Sequence, residues 1–310
     1  IVWQTPANPD YIFRDGRYVR PYYFEFISHV KNRWTGKTVV DLFAEEFKGR
    51  PYDYYISAVK SGRIQVDGQM VDLSYTVQSS QKISHFLHRH EPPVLAVNIS
   101  VLHNEDDIVT VCKPASVPVH PCGQYRKNTV VGILQAEHGL TPLFPVHRLD
   151  RLVSGLLIFA RNAVKADCLR QQIEAGLLQK EYIAKVVGVF PDGEQVVDAN
   201  VIYDAREGRS TVEKGKAACT KFTKISTNGT HSVVLCKPIT GRTHQIRVHL
   251  QYMGHPIAND MLYLSFSIDP MCTNCPNLGP KGYDEEGLWL HCLRYAGPDW
   301  SYESPYPEWA

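Results

Sequence analysis

The densest cluster of polar side chains in the 310-residue sequence is HRLDRLVSG at positions 147–155. Asp150 lies between Arg148 and Arg151, and two cations beside a carboxylate stabilise its negative charge. A carboxylate held in this way can act as a nucleophile or as a base. Asp150 could equally cap a turn or pair with a neighbour, and the local sequence leaves both roles open.

A second cluster is GRTHQIRVHL at positions 241–250. The spacing predicts a helix over Arg242–Met253 with Arg247 at the border of its buried face. A buried arginine requires a carboxylate or phosphate partner. His244 and His249 are five residues apart, which differs from the i, i+4 pairs of zinc-binding helices.

The cysteines give a weaker metal signal. Cys272 and Cys275 form one CxxC pair, and His291 and Cys292 follow in the sequence. A single CxxC pair is insufficient to specify a zinc site, so free thiols in a loop remain the alternative. Eight cysteines without a framework-like spacing are typical of reduced intracellular proteins. We therefore predict no metal, and a zinc-dependent hydrolase is the third-ranked function.

The order of predicted elements indicates an α+β protein. Strands and helices mix without a repeated strand–helix–strand unit, which favours a mainly antiparallel sheet. In the larger part of the chain the patterns predict strands at 108–113, 156–160, 182–189 and 232–236, a helix at 129–138, and a helix after Asn162 with Val164, Leu169 and Ile173 facing inward. Before residue 90 they predict helices from Thr38 and over Asp53–Lys60, then a hairpin of Ile64–Val66 and Met70–Val71 around Asp67-Gly68.

The charges are balanced overall but unevenly distributed. Thirty-three basic and thirty-two acidic residues give a net charge of +1. Residues 283–310 contain six acids and one base, which leaves an excess of bases in residues 1–282. Such an excess can form a face that attracts phosphate groups. No apolar run approaches the ~18 residues of a membrane-spanning helix, so we predict no membrane contact.

Three motifs carry a resemblance to a known family. HRLDRLVSG at 147–155, KEYIAKVVG at 180–188 and KPITGRTHQIRVHLQYMGHPIAND at 237–260 resemble, in order and spacing, the motifs of the RluA family of RNA pseudouridine synthases. Residues 37–90 resemble the S4-type RNA-binding domain that often precedes such catalytic domains. The segments at 88–94 and 120–130 are most similar to the eukaryotic branch, which includes tRNA-modifying enzymes.

The resemblance implies roles for individual residues. Asp150 matches the catalytic aspartate, Tyr182 the tyrosine that packs against the target uracil, and Arg247 the arginine that pairs with the aspartate. Arg148 matches the arginine that holds the place of the extruded nucleotide. The remaining expected RNA contacts are His147, Arg151, Lys180 and Arg242 in the catalytic domain, and Lys60 and Arg63 in the S4-like domain. One departure is Cys112, where many members carry Asn or Asp before Lys-Pro.

The resemblance also implies a domain organisation. We expect an N-terminal extension at 1–35, a small α/β S4-like RNA-binding domain at 36–92, and a pseudouridine synthase catalytic domain at 93–310. The catalytic domain would be α+β, with a mainly antiparallel mixed sheet flanked by helices and loops. The partner is RNA, with tRNA favoured and rRNA or mRNA possible. No obligatory protein partner is inferred, and the protein is expected to be intracellular.

The expected reaction agrees with these residue types. Converting uridine to pseudouridine breaks the C1′–N1 bond and forms a C1′–C5 bond without a net change in oxidation state, so no cofactor is expected. One carboxylate is sufficient, either by attacking C1′ or by removing a proton from C2′. Glycoside hydrolysis usually uses two carboxylates, and only Asp150 stands out here. The second-ranked function is an RNA-binding protein that has lost activity.

Overall fold

The computed structural model describes residues 11–264 and 287–310. Among these residues, strands alternate irregularly with short helices, which confirms the α+β class. The described chain divides into two compact units. Residues 11–19, 91–264 and 287–310 belong to the first, and residues 20–90 form the second.

The elements are as follows. The strands are β1 Tyr11–Phe13, β2 Arg17–Val19, β3 Tyr22–His29, β4 Ile64–Val66, β5 Lys82–Arg89, β6 Ser100–Asn104, β7 Ile108–Lys113, β8 Phe144–Pro145, β9 Ser154–Ala160, β10 Gln179–Val187, β11 Glu194–Asp198, β12 Val201–Asp204, β13 Arg209–Val212, β14 Cys219–Thr227, β15 His231–Pro238, β16 Leu290–Ala296 and β17 Ser301–Glu303. The helices are α1 Val39–Glu46, α2 Tyr52–Lys60, α3 Val130–His138, α4 Ala163–Glu174, α5 Gln245–Tyr252 and α6 Met261–Leu264, with a 3₁₀ turn at Asn32–Trp34.

A ten-stranded sheet forms the frame of the first unit. Its central order is β11-β14-β15-β10-β16-β9-β7-β6, with β8 on β9 and β17 on β16. Among these described pairings, only β9 and β16 run parallel. The sheet is therefore mixed and mainly antiparallel, as the sequence predicts.

The strand β16 lies between two groups of strands that are far apart in the chain. On one side β9 continues to β7 and β6, and on the other β10 continues to β15, β14 and β11. Residues 156–160 of β9 are fully buried, which explains their uninterrupted apolar sequence. Because β16 comes from the end of the chain, it joins the two groups across a long sequence separation.

Gly155 permits the close approach of β9 and β16. It has φ of +110°, a conformation that side chains rarely adopt. A Cβ atom there would lie 2.2 Å from the carbonyl oxygen of Cys292. Glycine at this position lets the loop before β9 enter the sheet directly beside β16.

The second unit packs α1 and α2 on a three-stranded sheet of order β3-β5-β4. Thr38 caps α1 by accepting a hydrogen bond from the Asp41 N–H at 3.1 Å. The core between the helices and the sheet includes Phe43, Tyr55 and Ile83. The two helices and the strand β4 follow in the order that the sequence predicts, whereas β5 was not predicted.

The boundaries of this unit differ from the predicted 36 and 92. It begins at Arg20 because all of β3 pairs with β5. It ends at His90, because the buried Glu91 carboxylate instead accepts the backbone N–H groups of residues 126–128 in the first unit. The first part of the predicted extension also belongs to the first unit, where the Arg17 N–H donates to Val94 O at 2.7 Å.

Two local predictions are wrong. In α4 only Leu169 faces inward, whereas Val164 is 82% and Ile173 38% exposed. Asp67 and Gly68 form the predicted tight turn, which Val66 and Gln69 close with two backbone hydrogen bonds, but no strand continues at Met70 and β4 pairs with the distant β5. In both cases tertiary burial decides the outcome, because apolar spacing alone does not tell which face meets a partner.

The helix predicted over Arg242–Met253 is present as α5, but it begins at Gln245, three residues later than predicted. The residue before α5, His244, has φ of +54° and therefore cannot belong to a right-handed helix. The side chain of Gln245 holds this entry by accepting a hydrogen bond from the Arg242 N–H at 3.0 Å. None of the helices described, over 11–264 and 287–310, is long and apolar enough to cross a membrane.

Candidate active site

Asp150 lies in the loop that connects β8 to β9. The Val153 N–H donates to the Asp150 carbonyl at 3.0 Å and closes the loop into a turn just before the sheet. The Asp150 side chain is 37% exposed, so a ligand can reach the carboxylate. The turn role and the chemical role considered for Asp150 are thus compatible, because the turn uses the backbone and leaves the side chain available.

Lys113 holds the Asp150 loop through a hydrogen bond to the Arg151 carbonyl. The sequence does not predict Lys113 as a site residue. It is fully buried at the end of β7, and its Nζ donates to three carbonyl oxygens, those of Pro114, Val117 and Arg151. Burial lowers the pKa of the Lys113 amine to about 7, although the negative charge of Asp150 acts in the opposite direction. The sequence feature that could have indicated this buried lysine is its position at the end of an apolar strand, directly before a proline.

Arg247 on α5 reaches Asp150, but its main partner is another residue. Its Nε and Nη2 donate to the two oxygens of the buried Asp260, at 2.6 and 2.8 Å. Its Nη1 lies 3.5 Å from Oδ2 of Asp150. Burial opposes the charge of Arg247, but the hydrogen-bonded Asp260 outweighs it and raises the pKa of the guanidinium. The predicted carboxylate partner of this buried arginine is therefore Asp260, which the sequence analysis did not identify.

His244 is the second group that faces Asp150. Its Nε2 lies 3.5 Å from the same oxygen, Oδ2, and its Nδ1 lies 2.9 Å from the hydroxyl of Tyr263. Burial, followed by the positive charge of Arg247, lowers the pKa of His244. Tyr263 also packs its ring under Arg247, with the guanidinium carbon 4.9 Å from the ring centroid.

Tyr182 enters the site from the sheet. In strand register, Lys113 pairs with Gly155, Gly155 with Cys292, and Cys292 with Tyr182. Residues paired in register share one face of a sheet, so Tyr182 and Lys113 lie on the same face. The Tyr182 hydroxyl is 3.1 Å from that of Tyr295, and burial raises the pKa of Tyr182 well above its usual value. Tyr182 is therefore a neutral phenol at neutral pH.

His147 connects the Asp150 loop to this tyrosine pair. Its ring stacks on Tyr295, with 4.1 Å between centroids and 18° between planes. Its Nε2 accepts the Ile158 N–H at 3.3 Å, which places the proton of the neutral ring on Nδ1. Burial and the nearby Lys180 lower the pKa of His147 to about 3. The stacked ring therefore helps to position the Asp150 loop, and the RNA contact expected of His147 stays a prediction.

The remaining predicted contacts surround the site. Lys180 is half-buried, its Nζ lies 3.4 Å from the Thr240 carbonyl, and burial lowers its pKa. Arg242 is exposed and its Nε donates to the Ala217 carbonyl at 3.0 Å. Arg148 is exposed, and its charge acts on His120. The backbone of Arg151 is part of the Lys113 cradle.

Lys60 and Arg63 lie in the second unit. Lys60 is exposed at the end of α2, and Arg63 donates its Nε hydrogen to Ser61 Oγ at 3.0 Å. The guanidinium carbons of Arg63 and Arg50 lie 5.0 and 5.4 Å from the ring centroid of Tyr54. Two arginines over one tyrosine form a compact cationic patch in this unit.

Of the four candidate zinc ligands, the structure describes two, His291 and Cys292. Cys272 and Cys275 lie outside the described residues. His291 is engaged by Ser154 at 2.9 Å and by Ser304 at 2.9 Å, and burial raises the pKa of the Cys292 thiol. Within 11–264 and 287–310, no group of three or more His, Cys, Asp or Glu side chains is arranged to hold a metal ion.

This arrangement provides one accessible carboxylate with two donors on a single oxygen. Asp260, the second carboxylate that Arg247 contacts, is 2% exposed and is occupied by that arginine. Hydrolysis of a glycosidic bond commonly requires a second carboxylate that can activate water. The geometry fits a reaction in which one carboxylate acts alone beside a tyrosine.

Replacing Asp260 with Asn should destabilise the protein strongly. The substitution leaves the buried Arg247 without a charged partner, which typically costs about 3–5 kcal/mol of unfolding free energy. The control is Glu174→Gln, which removes the charge from an exposed pair with Arg170 and should cost about 0.5 kcal/mol or less. Denaturant unfolding of both variants measures the difference, and equal losses would contradict the role assigned to Asp260.

The amine of Lys113 should make stability depend on pH. Its pKa is about 7 when folded and near 10.5 when unfolded, so between these values the unfolded chain binds more protons. The unfolding free energy of the wild type should therefore rise with pH above about 7, relative to Lys113→Met. Denaturant unfolding of both proteins at several pH values tests this. A difference that stays constant from pH 6 to about 9 would contradict it.

The site can now be compared with known proteins. Residues 107–252 match the family model described as RNA pseudouridylate synthase. The chain is 67% identical to RNA pseudouridine synthase 7 of Oryza sativa subsp. japonica, over 100% of this chain and 95% of the relative. It is 36% identical to the mitochondrial tRNA pseudouridine(32) synthase of Saccharomyces cerevisiae, over 98% of this chain and 79% of the relative.

The fold agrees with these sequence matches. A solved structure, human RNA Pseudouridylate Synthase Domain Containing 4, superposes with a TM-score of 0.53 at 25% identity and covers 68% of this chain and 89% of its own. The Asp150 loop, the Tyr182 strand and the whole of α5 lie within the matched 107–252 segment. The chain therefore belongs to the RluA family of RNA pseudouridine synthases and is an RNA-modifying isomerase.

Proposed function

We propose that this pseudouridine synthase acts on tRNA and uses Asp150 as its reacting carboxylate. The observation that carries the proposal is the placement of one accessible carboxylate between Arg247 and His244, on the face of the sheet that bears Tyr182. The yeast relative is named a tRNA pseudouridine(32) synthase, which supports tRNA as the substrate class.

The proposed reaction assigns each group a task. Asp150 acts on the ribose, either by attacking C1′ or by removing the C2′ proton, while Arg247 stabilises its charge through Oδ2. The released uracil turns so that C5 faces C1′, and the ring of Tyr182 supports it. C5 then bonds to C1′, which displaces Asp150 from C1′ in the first route and is accompanied by return of the proton to C2′ in the second. Loss of the C5 proton and protonation of N1 complete the isomerisation. No metal, cofactor or redox partner enters this balance.

The target nucleotide must leave its stack before Asp150 can reach C1′, because base chemistry of this kind requires a flipped base. We propose that Arg148 fills the vacated space and that Arg151, Lys180 and Arg242 contact the flanking phosphates. The partial burial of Lys180 supports its task, because a half-desolvated ammonium gains more from an anion than a fully hydrated one.

We further propose that the second unit, residues 20–90, is an S4-like RNA-binding domain. Lys60 at the end of α2 and Arg63 just after it present positive charge at one end of a helix. Arg50 and Arg63 enlarge this patch around Tyr54. Phosphate contacts of this type hold RNA without reading its sequence.

The name of the mitochondrial relative is consistent with an intracellular substrate.

Tritium release from RNA labelled at uracil C5 tests the proposal, because C5 loses its hydrogen when it becomes the glycosidic carbon. The wild type should release tritium from a tRNA pool, also in the presence of a chelator, and Asp150→Ala should release none while still binding the RNA. Asp192→Ala is the control. It removes an exposed carboxylate that is distant in sequence from Asp150, and it should behave as the wild type.

Two results would contradict the proposal. Release by Asp150→Ala at the wild-type rate would remove Asp150 from the chemistry. Release from an rRNA pool alone would overturn tRNA as the substrate. Binding of both pools without release from either would instead favour the RNA-binding protein that has lost its activity.

A further inference from the structure

His244 has a backbone conformation that suggests a functional constraint. Its φ is +54° and its ψ is +20°, in the left-handed region that only a few per cent of non-glycine residues adopt. The other non-glycine residues with positive φ in the described ranges are one Asp and two Ser, at positions 67, 80 and 116. Strain of this kind persists where the surrounding structure imposes it, and it concentrates at functional sites.

A hydrogen-bond chain leads from Ser210 through Tyr263 to His244. The Ser210 N–H donates to the Tyr263 hydroxyl at 2.8 Å, and the hydroxyl lies 2.9 Å from Nδ1 of His244. The other ring nitrogen, Nε2, faces the carboxylate of Asp150, which accepts hydrogen bonds, so we place the proton of the neutral imidazole on Nε2. Nδ1 then accepts from the Tyr263 hydroxyl.

We propose that His244 is a positioning residue that holds Oδ2 of Asp150 and thereby presents Oδ1 to the ribose. Both donors that face the carboxylate, Nε2 of His244 and Nη1 of Arg247, lie 3.5 Å from Oδ2. Among the residues that the structure describes, no hydrogen bond engages Oδ1, and the contact recorded for each of the two donors is with Oδ2. The two donors therefore fix the rotation of the carboxylate and leave one oxygen for the reaction. The inference rests on the proposed role of Asp150.

The surroundings of His244 keep it neutral and oriented. Arg247 faces it with a positive charge, Asp150 and Asp260 with negative charges, and Tyr263 and Tyr203 with their rings. Burial and Arg247 outweigh the carboxylates and lower the pKa of His244. Tyr203 lies on β12, and its ring packs edge-on against the imidazole of His244 with 5.8 Å between the ring centroids. A neutral imidazole can donate to Asp150 without adding a second cation beside Arg247.

His244→Asn distinguishes the effect of losing the imidazole side chain from the effect of changing the left-handed backbone. Asparagine adopts the left-handed region more readily than most residues, so the loop before α5 is retained, but its short amide does not extend to Asp150. We expect the single-turnover rate of tritium release to fall about 10- to 100-fold, as for other residues that orient a reacting group, with RNA affinity unchanged. A wild-type rate would overturn the proposal.

Two tyrosines beside His244 provide a matched pair of variants. Tyr263→Phe removes the hydroxyl that donates to Nδ1 but keeps the ring under Arg247. Tyr203→Phe removes the hydroxyl of the other ring that packs on His244. The rate should fall in Tyr263→Phe and stay at the wild-type value in Tyr203→Phe. Equal rates in the two variants would overturn the proposal.

The histidine ¹⁵N spectrum tests the hydrogen-bond chain without any turnover. The His244 resonances are assigned by their loss in His244→Asn. In the wild type Nδ1 should have the shift of an unprotonated acceptor and Nε2 that of a protonated nitrogen, and Tyr263→Phe should mix the two tautomers. Protonation of Nδ1 in the wild type would overturn the proposal. Because this readout is independent of Asp150 chemistry, it also distinguishes failure of the chain from failure of the proposed function.

Discussion

The bidentate ion pair between Arg247 and Asp260 is the interaction on which the site depends. Both side chains are buried, so the pair must satisfy its charges internally, and two hydrogen bonds of 2.6 and 2.8 Å do so. The planar guanidinium then has only one direction left for Nη1, and that direction points to Asp150. Tyr263 supports the same guanidinium and also orients His244. One buried pair therefore aligns both groups that hold the reacting carboxylate.

The ten-stranded sheet supplies the complementary constraint. The parallel contact between β9 and β16 requires Gly155, and it places the loop of Asp150 beside the strand that pairs with Tyr182. Lys113 fixes the same loop by donating to three carbonyl groups from the end of β7. Loop and tyrosine are thus positioned by strands from three separate parts of the sequence, which gives the site a rigid floor and an exposed carboxylate above it.

The sequence predicts the local elements and the three motifs, because apolar spacing and caps are local signals. Strand 108–113 and the helix that ends before Gly139 agree closely with the structure. The partner of Arg247 is not predicted, since its need for a carboxylate is a local inference but the choice of Asp260 is a tertiary one. His244 is misplaced on a helix because apolar spacing does not reveal its left-handed backbone. The contacts of its side chain with Tyr263 and Asp150, which lie 19 and 94 positions away in the chain, are likewise tertiary.

The planar shape of the Arg247 guanidinium, and not only its charge, positions Asp150. Arg247→Lys separates the two properties, because lysine keeps the positive charge but cannot bind Asp260 in a bidentate manner and reach Asp150 as well. The single-turnover rate of tritium release should fall about 100-fold, while the affinity for RNA stays at the wild-type value. A rate equal to that of the wild type, in a folded Arg247→Lys protein, would show instead that the positive charge alone is sufficient.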